Sequence, residues 1–432
     1  MSQPEFTVDI DHNEYLAAGA RDINAILTVT MAGTMPESPA DETDAAEIII
    51  IDCSGSMGSP GNKIAEARAA CSAAVDVIRD GVAFAVIAGT HEAAACFPED
   101  GSLAVAGPQT RESAKKAVRG LRPGGGTAIG AWLRLAHQMF APHPAKLRHA
   151  ILLTDGNDES ESSDALSAAI KLCEGVFSCD CRGVGTDWRV AELRRVSAAL
   201  LGSVDIVPDP ASLAADFSAM MAESMGKRAA DVSLRVWTPR HASVFLKQVA
   251  PDVEDLTSRR TESSPQVGDY PTGAWGPGES RDYHLAVRVS DPYAVGQQVL
   301  AARVSLVAAS PNGPEVLGET KNVLATWTDD ETLSTRINQR VAHFTGQEEL
   351  AQAIQEGLEA RRQGYKDTAE AKLGRAVALA HQSGNEETAK LLVKVVDVVD
   401  AATGTVQLKK KVEDADEMAL DTRSTKTVRT KK

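Results

Sequence analysis

The sequence lacks any apolar run that approaches the ~18 residues of a membrane-spanning helix, so no membrane span is predicted. Its first residues, Met1 to Glu5, lack the basic and apolar regions of a signal peptide, and a cytoplasmic location is therefore expected. The chain has six cysteines but no Cys-x-x-Cys pair and no histidine cluster. A zinc site is accordingly disfavoured, and buried, reduced thiols are expected instead.

Positive charge is also scarce. The chain has 45 lysines and arginines against 60 aspartates and glutamates, which gives a formal net charge of −15 at pH 7. Because a phosphate backbone would be repelled over most of such a surface, nucleic acid is not expected as a partner. Basic residues are concentrated in Lys409-Lys410-Lys411 and in the stretch after Thr422.

Two signatures of catalysis are missing as well. The chain has no Gly-x-x-x-x-Gly-Lys-Ser/Thr loop, so any ATPase activity would belong to another protein. No Gly-x-Ser-x-Gly elbow surrounds Ser54 or Ser56, and no general base can be assigned to either serine. We therefore expect that the chain is not an enzyme.

Apolar residues, by contrast, make up 43% of the 432 residues, enough for two or three domains with cores of their own. Four successive isoleucines, residues 48–51, indicate a strand that is buried on both faces within a parallel sheet. The strand runs directly into Asp52, Ser54 and Ser56. Ligands of open α/β sheets bind at the carboxyl ends of the strands, so these side chains lie where a site is expected.

The spacing Asp-x-Ser-x-Ser places three oxygen-bearing side chains on alternate residues of a turning loop, where they can converge. Hard oxygen ligands without thiols or imidazoles favour Mg²⁺, which prefers octahedral geometry and keeps several waters. Mn²⁺ and Ca²⁺ are the alternatives. Taken alone, the motif is more often a simple glycine-rich turn.

Two later segments favour the metal site over the turn. The glycine-rich residues 123–126 are followed by Thr127, at the start of a predicted helix. A second apolar strand, residues 149–154, is followed by Asp155. Three segments of the chain are thus predicted to supply oxygen ligands at one edge of the sheet.

The order of these motifs resembles the von Willebrand factor A family and its metal-ion-dependent adhesion site, over about residues 45–227. All five motif positions are filled, by Asp52, Ser54, Ser56, Thr127 and Asp155. The resemblance implies that the two serines and the threonine contact the metal, while the aspartates act mostly through water. It also implies an open coordination position that a protein partner fills with a carboxylate, so that the ion is a bridge rather than a catalyst.

Alternating strands and helices across residues 45–227 predict an α/β fold, with a doubly wound, mostly parallel, Rossmann-like sheet. Residues 6–33 and 230–328 alternate apolar with polar positions and predict a β-sandwich in which the α/β domain is inserted. Residues 330–402 have a helical period and predict a small bundle, whose grooves either take a partner helix or pack against the sandwich. The acidic loop 155–161 is either a solvated turn before a helix or a rim that selects partners.

Residues 403–432 lose this periodicity, and they are predicted to be a disordered tail. Thr422, Thr425 and Thr427 lie among basic residues and are candidate phosphorylation sites for a Ser/Thr kinase. Thr425, with Val428 three residues later, resembles a ligand of forkhead-associated domains, which read phosphothreonine. The alternative is a basic tail that only aids solubility.

Together these features predict a Mg²⁺-dependent protein-interaction module, a cytoplasmic scaffold that binds an acidic group of its partner. The alternative is the von Willebrand subunit of a chelatase-like or chaperone-like AAA+ ATPase assembly, in which the metal site would dock the motor subunit.

Overall fold

The computed structural model describes residues 5–33, 44–58, 63–310, 313–336 and 338–426. The chain divides into two compact units, one of residues 37–230 and one of residues 1–36 with 231–432. Among the described residues, no helix combines the length and the apolar character needed to cross a bilayer.

The helices and strands fall into four stretches along the chain. The first stretch contains the strands β1 (Phe6–His12), β2 (Tyr15–Ala17) and β3 (Asp22–Met31). The second stretch alternates strands with helices: β4 (Ala45–Asp52), α1 (Lys63–Val77), β5 (Ala83–Gly89), β6 (Ala93–Phe97), β7 (Ala104–Val105), α2 (Pro108–Gly120), α3 (Ile129–Phe140), β8 (Leu147–Thr154), α4 (Ser163–Cys173), β9 (Ser178–Val184), α5 (Val190–Ala199), β10 (Val204–Val207) and α6 (Leu213–Gly226). The third stretch contains strands: β11 (Ala229–Trp237), β12 (Ser243–Ala250), β13 (Glu254–Asp255), β14 (Thr261–Ser264), β15 (Val267–Trp275), β16 (Ser280–Arg288), β17 (Gln298–Ala308) and β18 (Glu315–Thr328). The fourth stretch is mainly helical: α7 (Glu331–Ser334), α8 (Gln339–Arg362), α9 (Lys366–Ser383), α10 (Glu386–Val395), β19 (Val396–Asp400), β20 (Thr405–Leu408) and α11 (Asp414–Arg423).

The sheet of the α/β unit has the strand order β10-β9-β8-β4-β5-β6, and β7 also pairs with β5. The strands from β10 to β5 run parallel, whereas β6 and β7 are antiparallel to β5. This arrangement confirms the predicted α/β class with a mostly parallel sheet.

Strand β4 lies inside this sheet because its isoleucines are buried on both faces. Ile49 and Ile51 pack in one core cluster with residues of α1 and α6. Ile48 and Ile50 alternate with them, so they face the other side of the sheet, where they are also 0% exposed. Four consecutive apolar residues therefore place the polar loop after β4 at the carboxyl edge of a fully covered strand.

A buried ionic cluster joins three neighbouring strands nearer their amino ends. His149 of β8 has its Nδ1 2.8 Å from Oε2 of Glu47 on β4, and its Nε2 2.9 Å from Oδ2 of Asp180 on β9. Burial lowers the pKa of His149, but the charges and hydrogen bonds of Glu47 and Asp180 outweigh it and raise the pKa to about 10. The imidazole is therefore a buried cation at neutral pH, held between two carboxylates.

The other unit contains two sheets, with the strand orders β1-β3-β16-β12-β13 and β14-β15-β11-β17-β18-β2. Strand β3 pairs antiparallel with both β1 and β16, and β2 runs parallel to β18. The ring of Phe6 in the first sheet meets the ring of Trp275 in the second edge-on, with centroids 5.5 Å apart. Strands from residues 6–31 thus belong to the same two sheets as strands from residues 229–328.

Helices α8 and α9 follow these sheets and approach each other closely at Gly357. A Cβ atom at this position would lie only 2.7 Å from Cγ of Leu373, so the absence of a side chain allows the contact. Apolar residues of α8, α9, α10 and α11, with the hairpin β19–β20, share one core cluster. The helical bundle thus includes elements beyond residue 402.

The structure corrects the prediction of a disordered tail for residues 403–426, while residues 427–432 lie outside the described part of the chain. Helix α11 buries the apolar residues 418–420. Its acidic residues Glu417 and Asp421 form ion pairs with Arg362 of α8. The amide of Val253 donates to the carbonyl of Thr425 at 2.8 Å. Charges that suggested a solvated tail are thus neutralised by partners that are distant in sequence.

Candidate metal centre

The predicted ligand positions Asp52 and Asp155 lie side by side at the carboxyl edge of the α/β sheet. Asp52 is the last residue of β4, and Asp155 directly follows the last residue of β8, Thr154. Because β4 and β8 are parallel neighbours, with Ile51 opposite Leu153, the two chains leave the sheet together. Both carboxylates are 0% exposed.

The loop after β4 is fixed by hydrogen bonds to Asp52. Its Oδ1 accepts a bond from the amide of Ser54 at 2.7 Å, and its Oδ2 accepts one from the hydroxyl of Thr154 at 2.6 Å. Both oxygens of Asp52 thus receive donors from this chain. Thr154 was not among the predicted site residues, and its role depends on the parallel pairing of β4 and β8.

Backbone hydrogen bonds join the same loop to the glycine-rich loop. The amide of Gly124 donates to the carbonyl of Cys53 at 2.8 Å, and the amide of Gly55 donates to the carbonyl of Gly125 at 3.0 Å. These two bonds bring the segment before Thr127 against the Asp-x-Ser-x-Ser segment. Two loops that are about 70 residues apart in sequence therefore form one rigid surface.

The three predicted hydroxyl ligands converge in front of the buried carboxylates. The hydroxyls of Ser54 and Ser56 are 2.9 Å apart, and Ser56 donates to Oδ1 of Asp155 at 2.6 Å. A Cβ atom built on Gly156 would lie 3.3 Å from the hydroxyl of Thr127 and 3.4 Å from that of Ser56. The structure thus brings Ser54, Ser56 and Asp155 into contact, and it places the hydroxyls of Thr127 and Ser56 on the same side of Gly156.

The electrostatics of this space favour a bound cation. Burial raises the pKa of Asp52 above its ordinary value, hydrogen bonds from Thr154 and Ser54 act against the rise, and the charge of Asp155 adds to it. Two neighbouring carboxylates that are removed from water are costly unless positive charge accompanies them. The ammonium group of Lys63 supplies one such charge beside Asp155, and a bound cation would supply more.

The donors also indicate which kind of cation fits. All five side chains present oxygen, which suits a divalent cation. The six cysteines are free thiols, five of them buried, as expected from the sequence. Among the described residues, no group of three or more His, Cys, Asp or Glu side chains is arranged to hold a metal. A cation held here would therefore need the hydroxyls as ligands.

A lysine that the sequence analysis did not single out borders the centre. Lys63, the first residue of α1, donates from Nζ to Oδ2 of Asp155 at 2.8 Å, and Nζ lies 3.4 Å from Oδ2 of Asp187. Burial lowers the pKa of Lys63, but the hydrogen bond and charge of Asp155, with those of Asp187, raise it above its ordinary value. Both oxygens of Asp155 thus receive donors, one from Ser56 and one from Lys63.

Two residues of the acidic loop after β8 cap helix α3, while Glu159 in the same loop is exposed. Asp158 accepts a hydrogen bond from the amide of Ile129 at 3.3 Å, and Glu161 accepts one from the amide of Gly130. Burial raises the pKa of Asp158 to about 7, and the charge of Glu161 adds to the rise. The two carboxylates hold the first turn of α3, which begins two residues after Thr127, and so support the position of that ligand.

Gly125 holds the glycine-rich loop in a conformation that other residues rarely adopt, with φ of +76°. A Cβ atom there would lie 2.5 Å from Nδ1 of His91. We expect Gly125→Ala to lower the free energy of unfolding by about 1–2 kcal/mol, as measured by urea denaturation. Gly124→Ala is the matched control, because nothing lies within 4 Å of its added Cβ and its stability should change little.

The predicted phosphorylation sites occupy different environments. Thr422 lies in α11 and is only 1% exposed, so its hydroxyl is not accessible to a kinase in this fold. Thr425 is half-buried, and its carbonyl accepts the bond from Val253. Thr427 lies outside the described residues.

Comparisons with known proteins agree with this fold. The family model of the von Willebrand factor type A domain matches residues 46–206, and that of the von Willebrand factor type A C-terminal domain matches residues 378–424. A search of curated proteins found no match.

Two solved structures resemble the whole chain. One is described as a von Willebrand factor type A protein from Catenulispora acidiphila, with 50% identity, coverage of 99% of this chain and 98% of that one, and a TM-score of 0.93. The other is the ArnB paralog VWA2 from Sulfolobus acidocaldarius, with 14% identity, coverage of 98% of both chains and a TM-score of 0.58, which shows a shared fold alone. The identity and coverage of the first structure show that the chain belongs to the von Willebrand factor type A family.

Proposed function

We propose that the chain is a divalent-cation-dependent interaction module, which binds a carboxylate of a protein partner at the carboxyl edge of the α/β sheet. The observation that carries the proposal is the convergence of Ser54, Ser56 and Thr127 in front of two buried carboxylates. Membership of the von Willebrand factor type A family supports a metal-dependent role in protein interactions.

Ser54, Ser56 and Thr127 would hold the cation directly, and Asp52 and Asp155 would balance its charge from behind. Because Ser56 donates a hydrogen bond to Asp155, it accepts the one from Ser54, and one lone pair of its oxygen is left for the cation. When bound, a hard divalent ion supplies a Lewis-acidic position that accepts a carboxylate oxygen from the partner. We propose Mg²⁺ as this ion, with Mn²⁺ and Ca²⁺ as the alternatives.

A catalytic role is not part of the proposal. Ser56 donates to Asp155 and lies 2.9 Å from Ser54, so both serines are engaged in the candidate metal centre. Among the described residues, no histidine contacts either serine to act as a base. We therefore do not propose a serine nucleophile.

The test is capture of partners by immobilised full-length protein in Mg²⁺ and in EDTA. We expect specific partners in Mg²⁺, their release by EDTA, competition by excess acetate, and their absence with Thr127→Val. Thr110→Val, which removes a hydroxyl from α2 instead, is the control and should capture the same partners. Equal capture in EDTA, or by Thr127→Val, would refute the proposal.

The same experiment addresses the alternative assembly. Recovery of an AAA+ ATPase as the Mg²⁺-dependent partner would favour a chelatase-like or chaperone-like complex over a scaffold. A Ser/Thr kinase and a forkhead-associated partner remain predictions for Thr425, and also for Thr427 outside the described residues. Mass spectrometry of the native protein would decide whether these threonines carry phosphate.

A further inference from the structure

The ammonium group of Lys63 lies at the back of the candidate metal centre. Its Nζ is 2.8 Å from Asp155 and 3.4 Å from Asp187, and its side chain is only 10% exposed. A Cβ atom on Gly185 would lie 3.6 Å from Nζ, so a glycine adjoins the ammonium group at the end of β9. A fixed positive charge thus stands behind a residue proposed to balance the charge of a cation.

We propose that Lys63 sets the charge of the centre, so that a bound divalent cation keeps a net positive charge for the partner's carboxylate. This inference rests on the proposed function. The carboxylates of Asp52 and Asp155 alone would neutralise a divalent cation, and the site would have little attraction for a third carboxylate. With the charge of Lys63 added, the loaded centre carries one net positive charge.

Asp187 offsets only part of the charge of Lys63. Its side chain is 65% exposed and lies farther from the ammonium than Asp155 does, so water screens its charge. Asp155 is 0% exposed, and its interaction with Lys63 is screened much less. The positive charge therefore acts mainly on the buried side of the centre.

The cost of this arrangement is a weaker hold on the cation. A fixed ammonium repels a divalent ion, and it also reduces the negative charge that Asp155 offers. Lys63 is then a positioning residue that lowers cation affinity and raises affinity for an incoming carboxylate. The two affinities should change in opposite directions when its charge is removed.

A purely structural role predicts a different result. If Lys63 only held Asp155 in place, its loss would loosen Asp155, and both the cation and the carboxylate would bind more weakly. The sign of the change in cation affinity therefore separates the two roles.

The experiment measures Mn²⁺ binding to the full-length protein by electron paramagnetic resonance of the free ion. Lys63→Met keeps the length of the side chain and removes its charge, and we expect its dissociation constant for Mn²⁺ to fall by about ten-fold. Acetate binding to the Mn²⁺-loaded protein, followed by water proton relaxation, should weaken by about ten-fold. Lys63→Arg, which keeps the charge, should stay close to the wild type in both assays.

Lys115→Met is the matched control. Lys115 lies in α2 and also pairs with two acidic residues, Glu112 of α2 and Asp76 near the end of α1. It should change neither affinity. Unchanged or weaker Mn²⁺ binding by Lys63→Met would overturn the inference, whereas a wild type that binds no Mn²⁺ would refute the proposed function itself.

Lys63→Gln decides the question if Lys63→Met does not fold, because glutamine also removes the charge but keeps a polar side chain beside Asp155. It should likewise bind Mn²⁺ more tightly and acetate more weakly than the wild type. Unchanged or weaker Mn²⁺ binding by Lys63→Gln would contradict the proposed charge balance.

Discussion

Replacing His149 with leucine is expected to lower the free energy of unfolding by about 3–5 kcal/mol, because Glu47 and Asp180 lose the cation between them. The side chain of Glu47 is 2% exposed, so its charge cannot turn to water without opening the sheet. Urea denaturation at pH 6, followed by circular dichroism, measures the loss. Glu47→Gln combined with His149→Leu should recover part of the stability, since one unpaired charge is then removed.

The same cluster predicts a pH dependence of defined sign. The pKa of His149 is raised from its ordinary 6.5 to about 10, so its contribution to stability is complete below pH 6.5 and is lost as the pH rises through 10. The pKa of Asp180 is held below its ordinary 3.8, opposed by burial and lowered chiefly by His149, so its contribution is present above pH 3.8 and lost at lower pH. The contribution of the cluster to stability should therefore be greatest between pH 3.8 and pH 6.5. Between pH 6.5 and 10, the free energy of unfolding should fall more steeply with pH for the wild type than for His149→Leu. Equal slopes for the two proteins would contradict this assignment.

Mg²⁺ is expected to stabilise the wild type by about 2.7 kcal/mol at a concentration one hundred times its dissociation constant. The double variant Ser54→Ala/Ser56→Ala should show no such gain, because two of the three hydroxyl ligands are removed. Thermal or urea unfolding with and without Mg²⁺ measures the difference.

The matched control removes two hydroxyls that bond to helix carbonyls elsewhere in the same unit. Ser72 donates to the carbonyl of Arg68, and Ser218 donates to the carbonyl of Ala214. Ser72→Ala/Ser218→Ala should keep the full response to Mg²⁺. If the Ser54→Ala/Ser56→Ala variant responds to Mg²⁺ as strongly as this control, the ion binds elsewhere.

The α/β fold was predictable because its signals are local. Four isoleucines in succession require burial on both faces, and only an interior strand of a covered sheet provides it. Asp52 and Asp155 each follow such a strand, so the parallel pairing of β4 and β8 brings them to one edge. Thr127 was predicted as a site residue from its position after a run of glycines.

Lys63 and Thr154 escaped the sequence analysis because their roles depend on contacts between distant segments. A lysine at the start of a helix usually faces water, and nothing near Lys63 in sequence shows that Asp155 lies 2.8 Å away. Thr154 looks like any residue at the end of a strand, and its bond to Asp52 depends on the register of β4 with β8.

The ordered end of the chain was missed for a related reason. Helix α11 contains few apolar residues, and its acidic first turn is typical of a solvated segment. Arg361 and Arg362 of α8 pair with its Glu417, and its residues 418–420 are buried. The hydrophobic periodicity of a segment does not indicate ion-pair partners that lie more than 50 residues away in sequence.

The pairing of β3 with β16 has a consequence for synthesis of the protein. Asp282 of β16 stands opposite Thr28 of β3, so partners in the sheet are separated by 254 residues. At about 5–20 residues per second, the ribosome takes roughly ten to fifty seconds to make this stretch. The α/β unit between them has all its paired strands within residues 45–207 and can fold in the meantime.

During that interval the residues of β1 and β3 have left the ribosome before β16, so the edge of β3 that pairs with β16 in the folded protein is unpaired. Such an edge readily joins other chains, and its exposure lasts until β16 leaves the ribosome. A chaperone that shields the first thirty residues would therefore raise the yield of native protein more than one that acts on the completed chain.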